Sequence, residues 1–210
     1  MCKRWALLLM LLTLMITTGC SSPMHFNDSH MDIYKRIHHT YSRMTSYTAE
    51  VKLTVKSNKT ENTYLLTQDV KVPHMSALTI KEPSHMEGLK TVINGDKVLI
   101  FAKNAEQKLL LEAEQVPNTL FVHEFFSLYY RSEETAIHVS AEEDSKTLLL
   151  ETECSPQTAG AYKVTMLIDT KTLHPKTITV FDAGGNVRQM AEFLSFTYNP
   201  SLAEDIFTIE

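Results

Sequence analysis

Beyond residue 50, apolar side chains recur at every second position in one short segment after another, a period that suits β-strands and not helices. Val51, Leu53 and Val55 alternate with Glu50, Lys52, Thr54 and Lys56, and Ser57-Asn58-Lys59 then turns the chain. The next segment, Tyr64 to Val72, sets Leu66, Val70 and Val72 against Thr67, Asp69 and Lys71, which predicts a hairpin with one wet face. Further strands are predicted at Ala77 to Lys81, Leu89 to Ile93, Val98 to Ala102 and Lys108 to Glu112. A second series covers Ala136 to Ser140, Lys146 to Glu153, Tyr162 to Asp169, Lys176 to Asp182 and Val187 to Tyr198. Asn94-Gly95-Asp96 is a strong hairpin turn, and Asp169-Thr170-Lys171 and Asp182-Ala183-Gly184-Gly185-Asn186 are sharp ones.

Two segments carry the helical period instead. Between Met31 and Met44, Ile33, Tyr34, Ile37, Tyr41 and Met44 share one face and Lys35, Arg36, His39 and Arg43 the opposite one, with Asp32 or Ser29 as the cap. From Pro117, which suits a first helical turn, to Tyr130 the chain is apolar nearly all round and needs cover on more than one side. Ten or eleven consecutive, mostly antiparallel strands with two helices exclude a doubly wound fold. The fold class is mainly β (α+β): an open, incompletely closed antiparallel β-barrel, with the helices plugging its concave side.

The amino terminus reads as an address. Lys3 and Arg4 precede Trp5 to Ile16, broken only by Thr13, and a membrane span needs about 20 apolar residues, so the run is a secretion signal. Residues 1–19 are expected to be removed, 20–30 to form a polar lipidated tether, and 31–210 to form one domain. Thr17-Thr18-Gly19-Cys20 resembles a bacterial lipobox, which implies a diacylglyceryl group on the Cys20 thiol. Each buried methylene contributes about 0.8 kcal/mol, so two or more acyl chains hold a protein stably at a membrane outside the cytoplasm. Cys2 leaves with the signal and Cys20 is acylated, which leaves Cys154 alone near a strand end.

A chain of 210 residues with 43% apolar and 21% charged residues is an ordinary globular domain, which excludes disorder, collagen and a disulfide-stapled miniprotein. The 20 Lys and Arg against 25 Asp and Glu give a net charge of −5, and loss of Lys3 and Arg4 makes it −7, so no basic stripe for nucleic acid is expected. The nine histidines fit no metal motif: there is no HExxH, and His38 and His39 are helix neighbours that point about 100° apart. Glu133-Glu134 and Glu142-Glu143-Asp144 lie beside turns rather than across a cleft. Gly184-Gly185 opens no helix and so makes no phosphate cradle. No catalytic constellation, cofactor or metal is expected, and the chain is read as no enzyme.

The stretch from Val164 to Ile178, with its acidic turn ending in Leu173-His174-Pro175, resembles the LolA/LolB lipoprotein-carrier superfamily, as do the Asp182 to Asn186 hairpin, Phe193 to Asn199 and the terminal Ile206-Phe207. Glu82-Pro83 and the strand after Asn94-Gly95-Asp96 fit the same order, though His85-Met86-Glu87 stands where the carriers have an arginine. With a lipobox in front and the Phe125 to Arg131 segment, the chain is most similar to the GerS and GerS-related germination lipoproteins of spore-forming clostridia. That likeness implies a non-enzymatic partner of a cortex N-acetylmuramoyl-L-alanine amidase that assists muramic-lactam formation in spore peptidoglycan. The carriers imply an apolar cavity for acyl chains instead.

Two sets of candidate residues follow. Leu65 alternates onto the polar face while Tyr64 and Leu66 take the other, and an apolar residue facing water on an edge hairpin marks a partner surface, with Arg188 as a nearby cation for an acidic partner. Phe121, Phe125, Phe126 and Tyr129 are the candidate lining of an apolar cavity for a carrier or sensor of lipids or lipoproteins. Open strand edges also suggest a homodimer formed by strand exchange.

Overall fold

The computed structural model describes residues 28–102, 108–113, 120–132, 135–139, 147–154 and 160–209. By its contacts the chain divides into Met1–Asp32, of which only the first helical residues are described, and Ile33–Glu210, which holds the sheet and both hydrophobic clusters. Helix α1 (Asp28–Ser42) is followed by six strands: β1 (Ser46–Lys56), β2 (Glu61–Lys71), β3 (Met75–Glu82), β4 (Leu89–Asn94), β5 (Lys97–Ala102) and β6 (Lys108–Glu112). Helix α2 (Val122–Arg131) then leads to β7 (Thr135–Val139), β8 (Thr147–Glu153), β9 (Lys163–Asp169), β10 (Pro175–Phe181) and β11 (Val187–Tyr198). Among the described residues these form a single eleven-stranded sheet in the order β6-β5-β4-β3-β2-β1-β11-β10-β9-β8-β7. Every described pairing is antiparallel. The two end strands do not pair, so the barrel stays open as the alternation predicted.

This topology is two meanders sewn together. Hairpins join β1 through β6 and β7 through β11, and among the described residues only the β1–β11 ladder, from Tyr47 opposite Tyr198 to Val55 opposite Gln189, pairs strands far apart in sequence. In the β4–β5 hairpin Gly95 has φ +62°, a backbone that suits glycine, so its two-residue turn forms without strain.

Period-two burial follows from the pleat. The inner face carries Tyr47, Ala49 and Val51 of β1, Leu66 and Val70 of β2, Leu148 and Leu150 of β8, Val164, Met166 and Ile168 of β9, and Ile178 and Val180 of β10. Ile37 and Tyr41 of α1 and Phe125, Phe126 and Tyr129 of α2 belong to the same core. The outer face is mostly polar and is laced by Lys52–Glu192 at 3.0 Å and Lys81–Glu50 at 2.7 Å. A smaller cluster lies on that outer face, where Phe207 packs on Ala77 and Val92.

Helix α2 departs from its predicted form. It begins at Val122 rather than at Pro117, because Phe121 is extended (φ −86°, ψ 138°), and residues 114–119 lie outside the described residues. Its buried side chains, Val122, Phe125, Phe126 and Tyr129, fall at i, i+3, i+4 and i+7, while Ser127, Tyr130 and Arg131 are exposed. One face is covered, then, not the whole circumference. Helix α1 begins three residues earlier than predicted, and Met44, just beyond its end, is still buried. Among the described residues no helix is long and apolar enough to cross a membrane.

Candidate functional site

The inner face of the sheet contains a cavity of about 200 Å³. Val51 and Leu53 of β1, Leu66 of β2, Leu78 of β3 and Ala191 of β11 give it hydrocarbon walls, and Leu120 and Phe121, just before α2, close one side. Its polar lining is Gln68 and Gln189, two amides that neither take nor give a proton at neutral pH.

Gln68 takes an inner-face position between Leu66 and Val70, where the alternation calls for an apolar residue, and a hydrogen-bond chain accounts for it. The Tyr47 hydroxyl donates to Gln68 Oε1 at 3.1 Å and accepts from the Val122 backbone N–H at 3.3 Å. The chain satisfies one orphan donor of α2, whose Phe121 cap supplies no side-chain bond. It also fixes the start of the helix at the rim of the cavity. Deep burial pushes the Tyr47 phenol well above its ordinary range.

A pair of tyrosines makes a second tie, at the turn between β9 and β10. Tyr41 and Tyr198 both donate to the Leu173 carbonyl, at 2.7 and 2.5 Å. Leu173 has φ +61°, and Asp169 holds its turn by accepting the Lys171 and Thr172 N–H groups through Oδ1. Those backbone bonds, Thr172 first, lower the Asp169 pKa. The acidic turn ending in Leu-x-Pro is therefore a tie between α1, β9, β10 and β11.

These phenols are neutral in the fold. Burial raises Tyr129 and Tyr198 to about 12 each and lifts Tyr41, Tyr47 and Tyr130 as well. The unfolded chain loses its phenolic protons first, near pH 10, so stability is whole below about pH 10 and falls as the pH rises through the folded values. Absorbance titration at 295 nm alongside circular dichroism should show the late tyrosines ionising together with unfolding. Ionisation of all eight tyrosines near pH 10 with the native spectrum intact would contradict these environments.

Of the predicted cavity lining, Phe121 borders the cavity, whereas Phe125, Phe126 and Tyr129 lie in the core beneath it. Phe126 stacks on Tyr41 with ring centres 4.2 Å apart. The predicted partner residues divide. Leu65 is not on an edge: β2 is interior, with Leu65 opposite Lys52 of β1 and Glu82 of β3, so the side chain is half-buried. The error has a physical source, since the edges are set by the order of the strands, which a local pattern does not encode. Tyr64 pairs with Leu53 on the inner face and is half-buried, and Leu66 is 4% exposed. Arg188 already has partners, donating to Asp182 Oδ2 at 2.7 Å and to Asn58 Oδ1 at 2.7 Å, and so ties two turns together.

Leu109 and Leu110 of edge strand β6 and Leu194 of β11 are more exposed than any of these, each over half. Three successive leucines in a five-residue strand, Leu109 to Leu111, put hydrocarbon on both faces, a signal the sequence carried for the first two. Leu194 stands beside a β-bulge that shifts the β1–β11 register between Glu50 and Val51. Cys154 is a buried free thiol just after β8, and burial pushes it up to about 11. Cys20 and tether residues 20–27 lie outside the described residues, and residues 28–30 of the predicted tether form the start of α1 instead. Among the described residues no three His, Cys, Asp or Glu side chains gather to hold a metal ion.

An open antiparallel sheet that carries two helices on one face defines the structural class, and solved structures share it. A chain in the structure of the CwlD amidase from Clostridioides difficile in complex with the GerS lipoprotein aligns at TM-score 0.51 and 23% identity, covering 84% of this chain and 99% of that one. An uncharacterized conserved protein from Thermus thermophilus aligns at 0.54 and 14%, covering 85% and 92%. The LolA superfamily protein NE2245 from Nitrosomonas europaea aligns at 0.48 and 13%, covering 85% and 97%. The chain belongs to the sporulation protein YdcC-like family, whose model matches residues 3–207. Nothing among the curated proteins matches the sequence significantly. At TM-scores above 0.5, the chain from the amidase–lipoprotein structure and the Thermus protein share the fold.

Proposed function

We propose that this chain acts outside the cytoplasm as a non-catalytic partner of an amidase that remodels spore peptidoglycan, held at a bilayer by an acylated Cys20. One observation carries the reading: a member of a sporulation family has the fold found in an amidase–lipoprotein complex. The leader supports export, since Lys3 and Arg4, a short apolar run and Gly19-Cys20 stand in the order that secretion and acylation require. In this reading residues 1–19 are lost, 20–30 are the tether and 31–210 do the binding. The hydrocarbon and amide lining of the cavity supports a role in holding rather than in proton transfer.

The outer face is the proposed partner surface, with Leu65 at its centre and Tyr64 and Leu66 supporting it from the inner side. Tagged protein purified from sporulating cells should bring an amidase with it. Leu65→Arg should lower that recovery by about tenfold or more, as expected for a central interface residue, and leave the thermal midpoint unchanged. Undiminished recovery would reject this surface.

The cavity favours a second reading, a carrier or sensor of lipids or lipoproteins. At about 200 Å³ it falls below the roughly 300–1,000 Å³ of common ligand sites and fits only a short stretch of hydrocarbon. Native mass spectrometry of the same purified material separates the two: a bound acyl species supports the carrier, and a clean apo mass the partner protein.

A further inference from the structure

Strand β6 ends the sheet, and among the described residues nothing pairs with its free edge. The orientation of its backbone follows from one hydrogen bond. The Ala113 N–H donates to the Asp96 carbonyl at 2.7 Å, one step beyond the Lys97–Glu112 pair of the β5–β6 ladder. Hydrogen-bonded and non-bonded pairs alternate along an antiparallel ladder, so Leu109 and Leu111 bond to β5. Lys108, Leu110 and Glu112 therefore turn their N–H and C=O groups to the open edge. All three are exposed, and Leu109 and Leu110 are each more than half so.

Free edges are commonly blunted by proline, by charge within the strand or by a bulge. In β6, Lys-Leu-Leu-Leu-Glu, the charges stand only at the two ends, and the ladder with β5 runs without a shift. The five residues are also their own complement. Laid antiparallel against a second copy about Leu110, Lys108 falls opposite Glu112, Leu109 opposite Leu111, and the two Leu110 residues opposite each other. Every outward N–H and C=O of Lys108, Leu110 and Glu112 then has a partner in the other copy, and a register shifted by one residue closes fewer bonds. Unlike charges meet at both ends. The two Leu110 side chains meet on the outer face, since Leu110 lies opposite Leu99 and Leu99 opposite Val92 of the Phe207 cluster, and Leu109 meets Leu111 on the inner face.

We infer that β6 is a homodimer interface, at which two copies join edge to edge about Leu110 into one continuous antiparallel sheet. No element is exchanged, unlike the strand exchange expected from the sequence: each copy keeps its own β1–β11 ladder. Residues directly opposite on paired strands share a face, so the two outer faces lie side by side, and a ligand of one meets two. The inference does not depend on what that ligand is.

The test uses the chain from residue 20 onward with Cys20→Ser, which keeps both described clusters and can form no disulfide through Cys20. Sedimentation velocity over about 1–300 µM should show a monomer–dimer equilibrium, as suits a small interface. Leu110→Pro removes only an outward N–H, and proline is tolerated at such edge positions, so it should weaken the dimer at least about 30-fold and leave the circular dichroism spectrum unchanged. Lys108→Glu sets like charges against each other at both ends and should weaken it about tenfold. Adding Glu112→Lys restores unlike pairs and should return the affinity to within about threefold of the parent. The charge reversals, at exposed sites, decide the register whether or not the proline variant folds. A monomer at every concentration, a dimer that folded Leu110→Pro leaves intact, or a second reversal that restores nothing would overturn the inference.

Discussion

Replacing Phe125 by Ala should lower the free energy of unfolding by about 3–5 kcal/mol, the cost of emptying a large aromatic site in a packed core. Phe125 is 1% exposed, meets Phe126 edge-on with ring centres 5.5 Å apart, and stacks on Tyr129 at 5.9 Å. Helix α2 has ten residues and no side-chain cap, and a helix so short does not hold itself in water. Packing of this ring against the inner face of the sheet is what keeps it folded, with the Tyr47 hydroxyl as a polar anchor. A domain of this size has about 5–15 kcal/mol to lose, so the variant forfeits a large share. Urea unfolding compared with Ser127→Ala, on the exposed side of the same helix and expected within about 0.5 kcal/mol of wild type, is the measurement. A loss below about 1 kcal/mol would mean that α2 is not fixed by this contact.

Phe207→Ala should cost a similar amount, about 3–5 kcal/mol at most, but in a different place. Phe207 is 1% exposed on the outer face against Ala77 of β3 and Val92 of β4, with Met75, Phe101, Leu202, Ile206 and Ile209 around it. Lys90 Nζ donates to the Ile206 carbonyl at 2.9 Å and Asn94 Nδ2 to the Phe207 carbonyl at 3.1 Å, so the carboxy-terminal segment is strapped across β4. Lys71 lies over the ring at 5.6 Å and pairs with Glu204. The outer cluster is separate from the inner core, and among the described residues the two meanders pair only at β1 and β11. Amide hydrogen exchange should therefore accelerate in β3, β4 and β5 while β8, β9 and β10 keep their protection. Uniform acceleration across the sheet would show that the strap and the inner core unfold as one.

The strands were legible because half-buried strands advertise themselves by alternation. Lys108 to Glu112 and Val187 to Tyr198 have the predicted limits, and the other nine lie within a few residues of theirs. The open antiparallel architecture followed from their number and spacing. What local pattern does not encode is which distant strands meet. The β1–β11 ladder joins the two meanders, and β2, paired on one side with β1 and on the other with β3, is interior, which takes Leu65 off the edge where alternation alone had put it. The start of α2 was misplaced for a related reason: Pro117 suits a first turn, but the helix begins where a tyrosine 75 residues away meets the Val122 N–H.

The site was less legible than the fold. Phe121, Phe125, Phe126 and Tyr129 all read as apolar, and only the sheet decides which of them borders space and which fills the core. Gln68 was visible in principle, as a polar side chain at an inner-face position between Leu66 and Val70.

The account stands on the claim that this chain holds a peptidoglycan amidase and breaks no bond itself. Spore peptidoglycan incubated with the purified chain, with the amidase that copurifies with it, and with both, followed by muropeptide analysis, tests that claim most directly. The account predicts no product from the chain alone and formation of the muramic-lactam precursor by the amidase that depends on the chain. Product released by the chain alone, or an amidase indifferent to its presence, would contradict it.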